Sequence, residues 1–400
     1  MEDSKKKILI IMPSMFIGGA ERSLLGLLEE IDYTRYDVSL FLYRHEGEFL
    51  PLIPKSVNLL PEDTHYRTFD TPISSLMFSK NWKYGLARLF SKIAMKMHCL
   101  ITKETAGVWM SMQYISRYLQ PLLPKIPGEY DLGIMFLGVA DTLNNKVDAK
   151  QRIAWCHTDY SILGPDIKKD LETYSHVDRI AFVSDSCKAQ MEKIYPQLSE
   201  KCMVFENILG ERLIHNLAKE KIEDMPRESG VINLVSVGRF CEAKNFDNVP
   251  EICSLIRKNG LNVKWYLIGY GSDEELIRSK IREFGMEEYV RVLGKKENPY
   301  PYIYQSDYYL QPSRYEGKCV SVREAQILGK PVIITNYATS RDQIEDRFDG
   351  FIIPLENQAC AKEITRIIES ADATARVVEN LKKRDYTNKN ELRIIDEILR

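Results

Sequence analysis

Short apolar runs, most of them closed by glycine or a small polar residue, alternate along this chain with stretches of helical spacing. Lys7–Pro13 reads as a buried strand, and after a Gly18-Gly19 turn Leu24, Leu25, Leu28 and Ile31 mark a helix. Ile153–Cys156 and Ile180–Ser186 read as further strands, the second ending where Ser184 and Asp185 either cap the next helix or meet a ligand. Met203–Asn207 is strand-like and is followed by a charged helix, Glu211–Glu223, and a polar stretch, Asp224–Gly230. A second series then starts at Val231. Val235–Arg239, Trp265–Gly271, Tyr289–Gly294, Asp307–Ser313 and Pro331–Thr335 read as strands, with helical patterns near Phe246 and from Glu274. The tail from Ala371 to Arg400 is helical in pattern, with Leu392, Ile395, Ile398 and Leu399 on one stripe. This alternation predicts an α/β chain with doubly wound parallel sheets, divided after Asn207.

Composition narrows the class. Four hundred residues exceed what one ordinary core needs, so two domains are expected. The 44% apolar and 28% charged content is that of a soluble globular protein, and a net charge of −2 gives no reason to invoke nucleic acid. Eight scattered cysteines without a Cys-x-x-Cys pair read as reduced core residues of a cytoplasmic protein. The apolar run after the N-terminal lysines is too short for a signal peptide, and no stretch reaches the ~20 apolar residues of a membrane span.

The chemistry-bearing residues gather at strand ends, where ligands bind in such sheets. Gly238, Arg239 and Lys244 follow one strand, Gly269 and Gly271 the next, and Leu293 and Lys295 the third. After the fourth, Glu316 and Glu324 stand eight positions apart around Gly317, Lys318, Cys319 and Val320, a glycine-opened loop running into a helix. A helix start with free N–H groups suits phosphate, and a carboxylate further in suits vicinal hydroxyls. In the first half, the Gly18-Gly19 turn does not fit Gly-x-Gly-x-x-Gly, so a dinucleotide fingerprint is not supported; a plain tight turn is the other reading. His157 closes its strand. His157-x-Asp159 lacks a third suitably spaced ligand, so no metal site is assigned.

The pattern Gly-Arg-x4-Lys-Asn, Ile-Gly-x-Gly, Ser-x-Tyr-Glu-Gly, Glu-Ala and Leu-Gly-Lys-Pro-Val-Ile, over about residues 231–355, resembles the donor domain of retaining glycosyltransferases of family 4, and Glu-x7-Glu is that family's hallmark. Asn336–Ile344 and Glu316-Gly317-Lys318 look most like the bacterial capsule, exopolysaccharide and O-antigen enzymes. The resemblance implies the GT-B architecture: two Rossmann-like domains facing a cleft, 1–207 on the acceptor side and 208–385 for the nucleotide-sugar donor, with 386–400 as a helix returning to the first domain. It also implies roles. Arg239 and Lys244 stabilise the departing diphosphate, Glu316 and His157 face the donor sugar, and Glu324 holds the ribose. Gly18, Gly19, Gly238, Gly269, Gly271, Gly317 and the backbone of Lys318, Cys319 and Val320 border the donor, with Leu293 and Lys295 near its base. The expected reaction is metal-independent front-face transfer from a nucleotide sugar, a uridine-linked one by this reading, to a glycan or lipid-linked acceptor, with no cofactor. A GT-B epimerase or hydrolase, and a non-catalytic sugar-nucleotide-binding homologue, are the alternatives. Tyr270 and Lys318-Cys319 depart from the family pattern beside the sugar, which leaves donor identity open.

An insertion at about 75–128 interrupts the first domain. From Lys80 to Lys103 there are six cations and no acid, with Trp82, Leu86, Leu89, Ile93 and Met97 on one helical face. Two readings follow: a basic amphipathic helix on an anionic membrane, at the inner face of the plasma membrane, or a domain helix with that stripe packed inward.

Overall fold

The computed structural model describes residues 5–158, 160 and 163–400. The chain forms two compact units, Met1–Ile208 with Lys389–Arg400, and Leu209–Asn388. Both are Rossmann-like, which gives the two-domain GT-B class of fold.

The first unit is built on seven parallel strands: β1 (Lys6–Met12), β2 (Tyr36–Leu42), β3 (Asn58–Leu59), β4 (Glu129–Met135), β5 (Asp148–Cys156), β6 (Arg179–Phe182) and β7 (Cys202–Val204). They are ordered β3-β2-β1-β4-β5-β6-β7. Ile8 to Met12 are completely buried, as a central strand covered on both faces requires. Strand order reverses between β1 and β4, so the Gly18-Gly19 turn and the loop from Phe136 flank a switch point. Ser184 is a helix cap, its side chain accepting the Cys187 N–H at 3.2 Å.

The second unit repeats the plan with six strands: β8 (Ile232–Val237), β9 (Val263–Ile268), β10 (Val290–Gly294), β11 (Tyr308–Gln311), β12 (Val332–Thr335) and β13 (Phe351–Ile353). Their order is β10-β9-β8-β11-β12-β13, again all parallel. The switch lies between β8 and β11, the strands that lead into Arg239 and Glu316. Two helical expectations shorten. Glu211–Leu217 stops well before Glu223, and the tail breaks after Ala371–Leu381, resuming only as a 3₁₀ turn at Lys389–Leu392 and the helix Arg393–Ile398. That last helix buries Ile395 in the core of the first unit, with Leu392, Ile394, Ile398 and Leu399 packed around it.

The insertion folds as helices Ile73–Met77, Trp82–Thr102 and Val108–Leu119. Its long helix corrects the inward-stripe reading. Trp82, Leu89, Ile93 and Met97 are exposed, as are Phe78, Phe90, Leu100 and Ile101; Phe78 is 95% exposed. The buried residues are Gly85, Ala87 and Ser91. Gly85 lies against Leu76 and Met77, where a Cβ would be only 3.0–3.1 Å from them, so close helix packing requires a small residue there. Arg88 also turns inward, donating to the Thr68 and Thr71 carbonyls at 2.7 and 2.8 Å. Lys80, Lys83, Lys92, Lys96 and Lys103 remain exposed beside the apolar side chains. Among the described residues, no helix is long and apolar enough to cross a membrane. All eight cysteines lie among the described residues, and none is in a disulfide.

Candidate active site

The loops after β8 and β9 are locked together by backbone. Gly238 N–H donates to the Ile268 carbonyl at 2.9 Å and Phe240 N–H to the Tyr270 carbonyl at 2.8 Å. A Cβ on Gly269 would strike the Gly238 carbonyl, and one on Gly271 the Phe240 carbonyl. The Gly-x-Gly spacing therefore serves the contact between two loops, one of which presents Arg239. That guanidinium is exposed and makes no ion pair or hydrogen bond with another described residue. Lys295, exposed at the end of β10, places its ammonium 5.1 Å from the Tyr270 ring centre, a cation–π distance. Leu293 lies at the irregularity in the β10–β9 register.

Lys244 ends a one-turn 3₁₀ helix and is followed by Asn245 in the left-handed conformation, φ 59°, which asparagine tolerates better than most residues. Its ammonium donates to Glu316 Oε1 at 2.6 Å and lies 3.7 Å from Cys319 Sγ. Burial alone would lower Lys244; the neighbouring Cys319 and Glu316 outweigh it and hold the ammonium above the usual lysine range. Ser313 donates to the same Glu316 oxygen at 2.5 Å, and Thr339 to the Glu316 carbonyl at 2.9 Å. Arg314 braces the arrangement: it grips Asp247 with two nitrogens at 3.0 and 2.8 Å and the Glu242 carbonyl at 2.6 Å. Sequence reasoning did not find this clamp. Its partners are far apart in the chain, and no local spacing signals it.

The helix Val320–Ile327 begins at Cys319 with no side-chain cap. Its start offers backbone N–H groups, although that of Cys319 is engaged by Gln343 Oε1 at 3.1 Å. Lys318 is buried. Glu324 has no exposed surface, and the Tyr300 hydroxyl donates to it at 2.8 Å. Lys244, Glu316 and Cys319 are thus brought into contact. Glu324 is held on the same helix but beneath the surface.

In the first unit, Gly18 opens the helix Gly19–Glu30 with extended backbone and no side-chain cap. His157 follows β5 with its ring against both Phe136 and Trp155, at centroid distances of 4.7 and 5.6 Å. Its Nε2 lies 2.9 Å from the Phe136 carbonyl and its Nδ1 3.0 Å from Asn207 Oδ1. Burial drives the imidazole down to about 4, against the Phe136 and Asn207 hydrogen bonds, which raise it. Asp159 lies outside the described residues. Among the described residues, no group of three or more His, Cys, Asp or Glu side chains is arranged to hold a metal ion.

A two-unit chain with cations and a helix start at the ends of the switch-point strands of its second sheet belongs to the GT-B class of α/β folds. The sequence comparisons are narrower. Residues 218–384 match the family described as glycosyl transferases group 1, and the chain is a GT-B-fold relative of that family. Relatives include the amylovoran biosynthesis glycosyltransferase AmsK of Erwinia amylovora, 28% identical over 34% of this chain and 36% of that protein. Another is the poly(ribitol-phosphate) alpha-N-acetylglucosaminyltransferase of Staphylococcus aureus, 29% identical over 34% of this chain and 28% of that protein. The matches thus span about a third of these curated relatives' length. The fold extends further. Anabaena HepE in complex with UDP and glucose has a TM-score of 0.67 at 16% identity, covering 98% of this chain and 99% of that one. S. aureus TarM has a TM-score of 0.65 at 15% identity, covering 99% of each.

Proposed function

We propose that this protein is a retaining glycosyltransferase that moves a sugar from a UDP-sugar to a glycan or lipid-linked acceptor in bacterial surface polysaccharide synthesis. The observation that carries the reading is the charge arrangement at the β8/β11 switch point. Arg239 is a free, exposed guanidinium, Lys244 is a mostly covered ammonium kept charged, and the uncapped Val320–Ile327 helix start lies between Glu316 and Glu324. Together they suit a diphosphate leaving group without requiring a bound cation. The polysaccharide-forming relatives and the UDP complex of HepE support donor and pathway class. In the proposed step the anomeric carbon–oxygen bond to UDP breaks, and the acceptor oxygen bonds to the same face. The acceptor's proton passes to the departing phosphate, which leaves with the bonding electrons. Glu316 and His157 govern the sugar; neither need act as a nucleophile.

The test measures UDP-sugar binding by thermal shift with and without EDTA, then product formation with and without acceptor. Binding insensitive to EDTA, lost in Arg239→Ala, and acceptor-dependent product with retained anomeric configuration are expected. Conversion of the donor alone identifies an epimerase or hydrolase instead.

The protein is further proposed to work peripherally on the inner face of the plasma membrane. The exposed mixture of lysines and bulky apolar side chains from Phe78 to Lys103 supports this, since lysines attract anionic headgroups while Phe, Trp and Leu enter the interface.

A further inference from the structure

His157 is held by a chain that the reaction scheme does not explain. The Phe136 carbonyl at 2.9 Å can only accept, so Nε2 carries a hydrogen. On a neutral ring Nδ1 then keeps its lone pair, and the group facing it at 3.0 Å is the Asn207 side-chain amide. An amide and its half-turn occupy the same space, so Asn207 presents N–H to a neutral ring or C=O to a charged one. Ser23, 2.8 Å from the same amide, is equally adaptable because a hydroxyl both donates and accepts. Asn207 and Ser23 are both buried, and Ser23 lies on the helix that opens at the Gly18-Gly19 turn. Around the ring, the loop after β4 contributes Phe136, β5 contributes Trp155, the segment after β7 contributes Asn207, and the Gly19–Glu30 helix contributes Ser23 through that amide. None of these groups is charged, so nothing among these contacts compensates an imidazolium.

We propose that Asn207, braced by Ser23, is a positioning residue that fixes His157 in one plane as the neutral Nε2–H tautomer. The inference rests on the reading of His157 as a residue that governs turnover. Its value there is electrostatic: transfer of a glycosyl group builds positive charge on the sugar, and a second cation on the imidazole would oppose it. Aspartate at 207 has the same shape but can only accept. It would require hydrogens on both ring nitrogens and so favour the imidazolium.

The ring state is read by NMR on the intact protein carrying nitrogen-15 histidine, with His157→Gln assigning the signal among the six histidines. The wild-type ring is expected to stay a neutral Nε2–H tautomer from pH 5 to 8. Asn207→Asp is expected to show an imidazolium at pH 7, a kcat at least tenfold lower with less than a twofold change in donor KM, and an acid limb moved up in pH. Ser23→Ala, a small change that keeps both ring partners, is expected to keep the Nε2–H tautomer that the Phe136 carbonyl imposes while loosening the Asn207 amide, broadening the ring signals and lowering kcat a few-fold. If both variants keep the wild-type ring signature and pH profile, the proposal is overturned. Full activity in His157→Ala is a separate result: it removes the role assigned to the histidine and leaves the ring measurement standing.

Discussion

The sequence pairs Lys244 with Arg239 as the cations for one diphosphate, and their environments separate them. Lys244 is mostly covered where it meets Glu316, with side-chain exposures of 17% and 11%, so Lys244→Met strands a carboxylate. The expected loss is about 3–5 kcal/mol, seen as a lowered Tm, together with loss of donor binding. Arg239 is exposed and unpaired, so Arg239→Ala should leave stability within ~0.5 kcal/mol while weakening UDP-sugar binding at least tenfold by calorimetry. A second prediction concerns pH. His157 titrates near 4 when folded, so the unfolded chain takes up a proton first as pH falls, and its contribution to stability is lost between the ordinary histidine value and about 4. Asp170 runs the other way. Burial raises it to about 6, against hydrogen bonds from Tyr160, Trp109, Tyr195 and Gln113, so its contribution is lost as pH rises from about 4 to 6. Urea denaturation at pH 5 and 7 should therefore show His157→Gln flattening the acid-side decline and Asp170→Asn steepening it. The motif residues were legible because glycine, lysine and glutamate at strand ends carry local signals. Arg314–Asp247, Tyr300–Glu324 and Ser23–Asn207 were not, since each joins residues remote in sequence.

Among the elements, strands were the most legible, because a central parallel strand must be apolar on both faces. β2, β3, β4 and β13 were missed: two or three residues carry no periodicity in β3 and β13, and in the seven-residue β2 and β4 the acids Asp37 and Asp131 interrupt the apolar run. The long helix of the insertion teaches more. Its period was readable and its orientation was not, because the inward side is chosen by Gly85 and Ser91, whose virtue is small size rather than apolarity. If that face meets lipid, the protein should co-sediment with liposomes rich in phosphatidylglycerol but not with phosphatidylcholine alone. Replacing Lys83, Lys92, Lys96 and Lys103 by glutamine should abolish this. Arg88 belongs in the control, since it is tied to Thr68 and Thr71; equal sedimentation of wild type and the quadruple variant would remove the idea. Gly269→Ala tests the loop lock: overpacking against the Gly238 carbonyl should cost about 1–3 kcal/mol and displace Arg239, weakening donor binding more than Tyr270→Ala does.

At the scale of the whole chain, the two sheets have the same strand order, so each half reads as a repeat of one plan and the α/β class follows from the alternation alone. What the alternation does not contain is membership. Lys389–Arg400 follows the second unit in sequence yet packs with the first, through Ile395 at 1% exposure. Ile395→Ala should cost about 2–5 kcal/mol, and hydrogen exchange should show the loss of protection in β1 and β2 rather than in β8 to β13. The same connectivity orders events on the ribosome. Met1–Ile208 emerges before Leu209–Asn388 but lacks its closing helix until all of that second unit has been made, a delay on the order of ten seconds at ribosomal synthesis rates. The unit translated first is the last to be completed, and during that interval its uncovered apolar surface is the part of the nascent chain on which a chaperone would act.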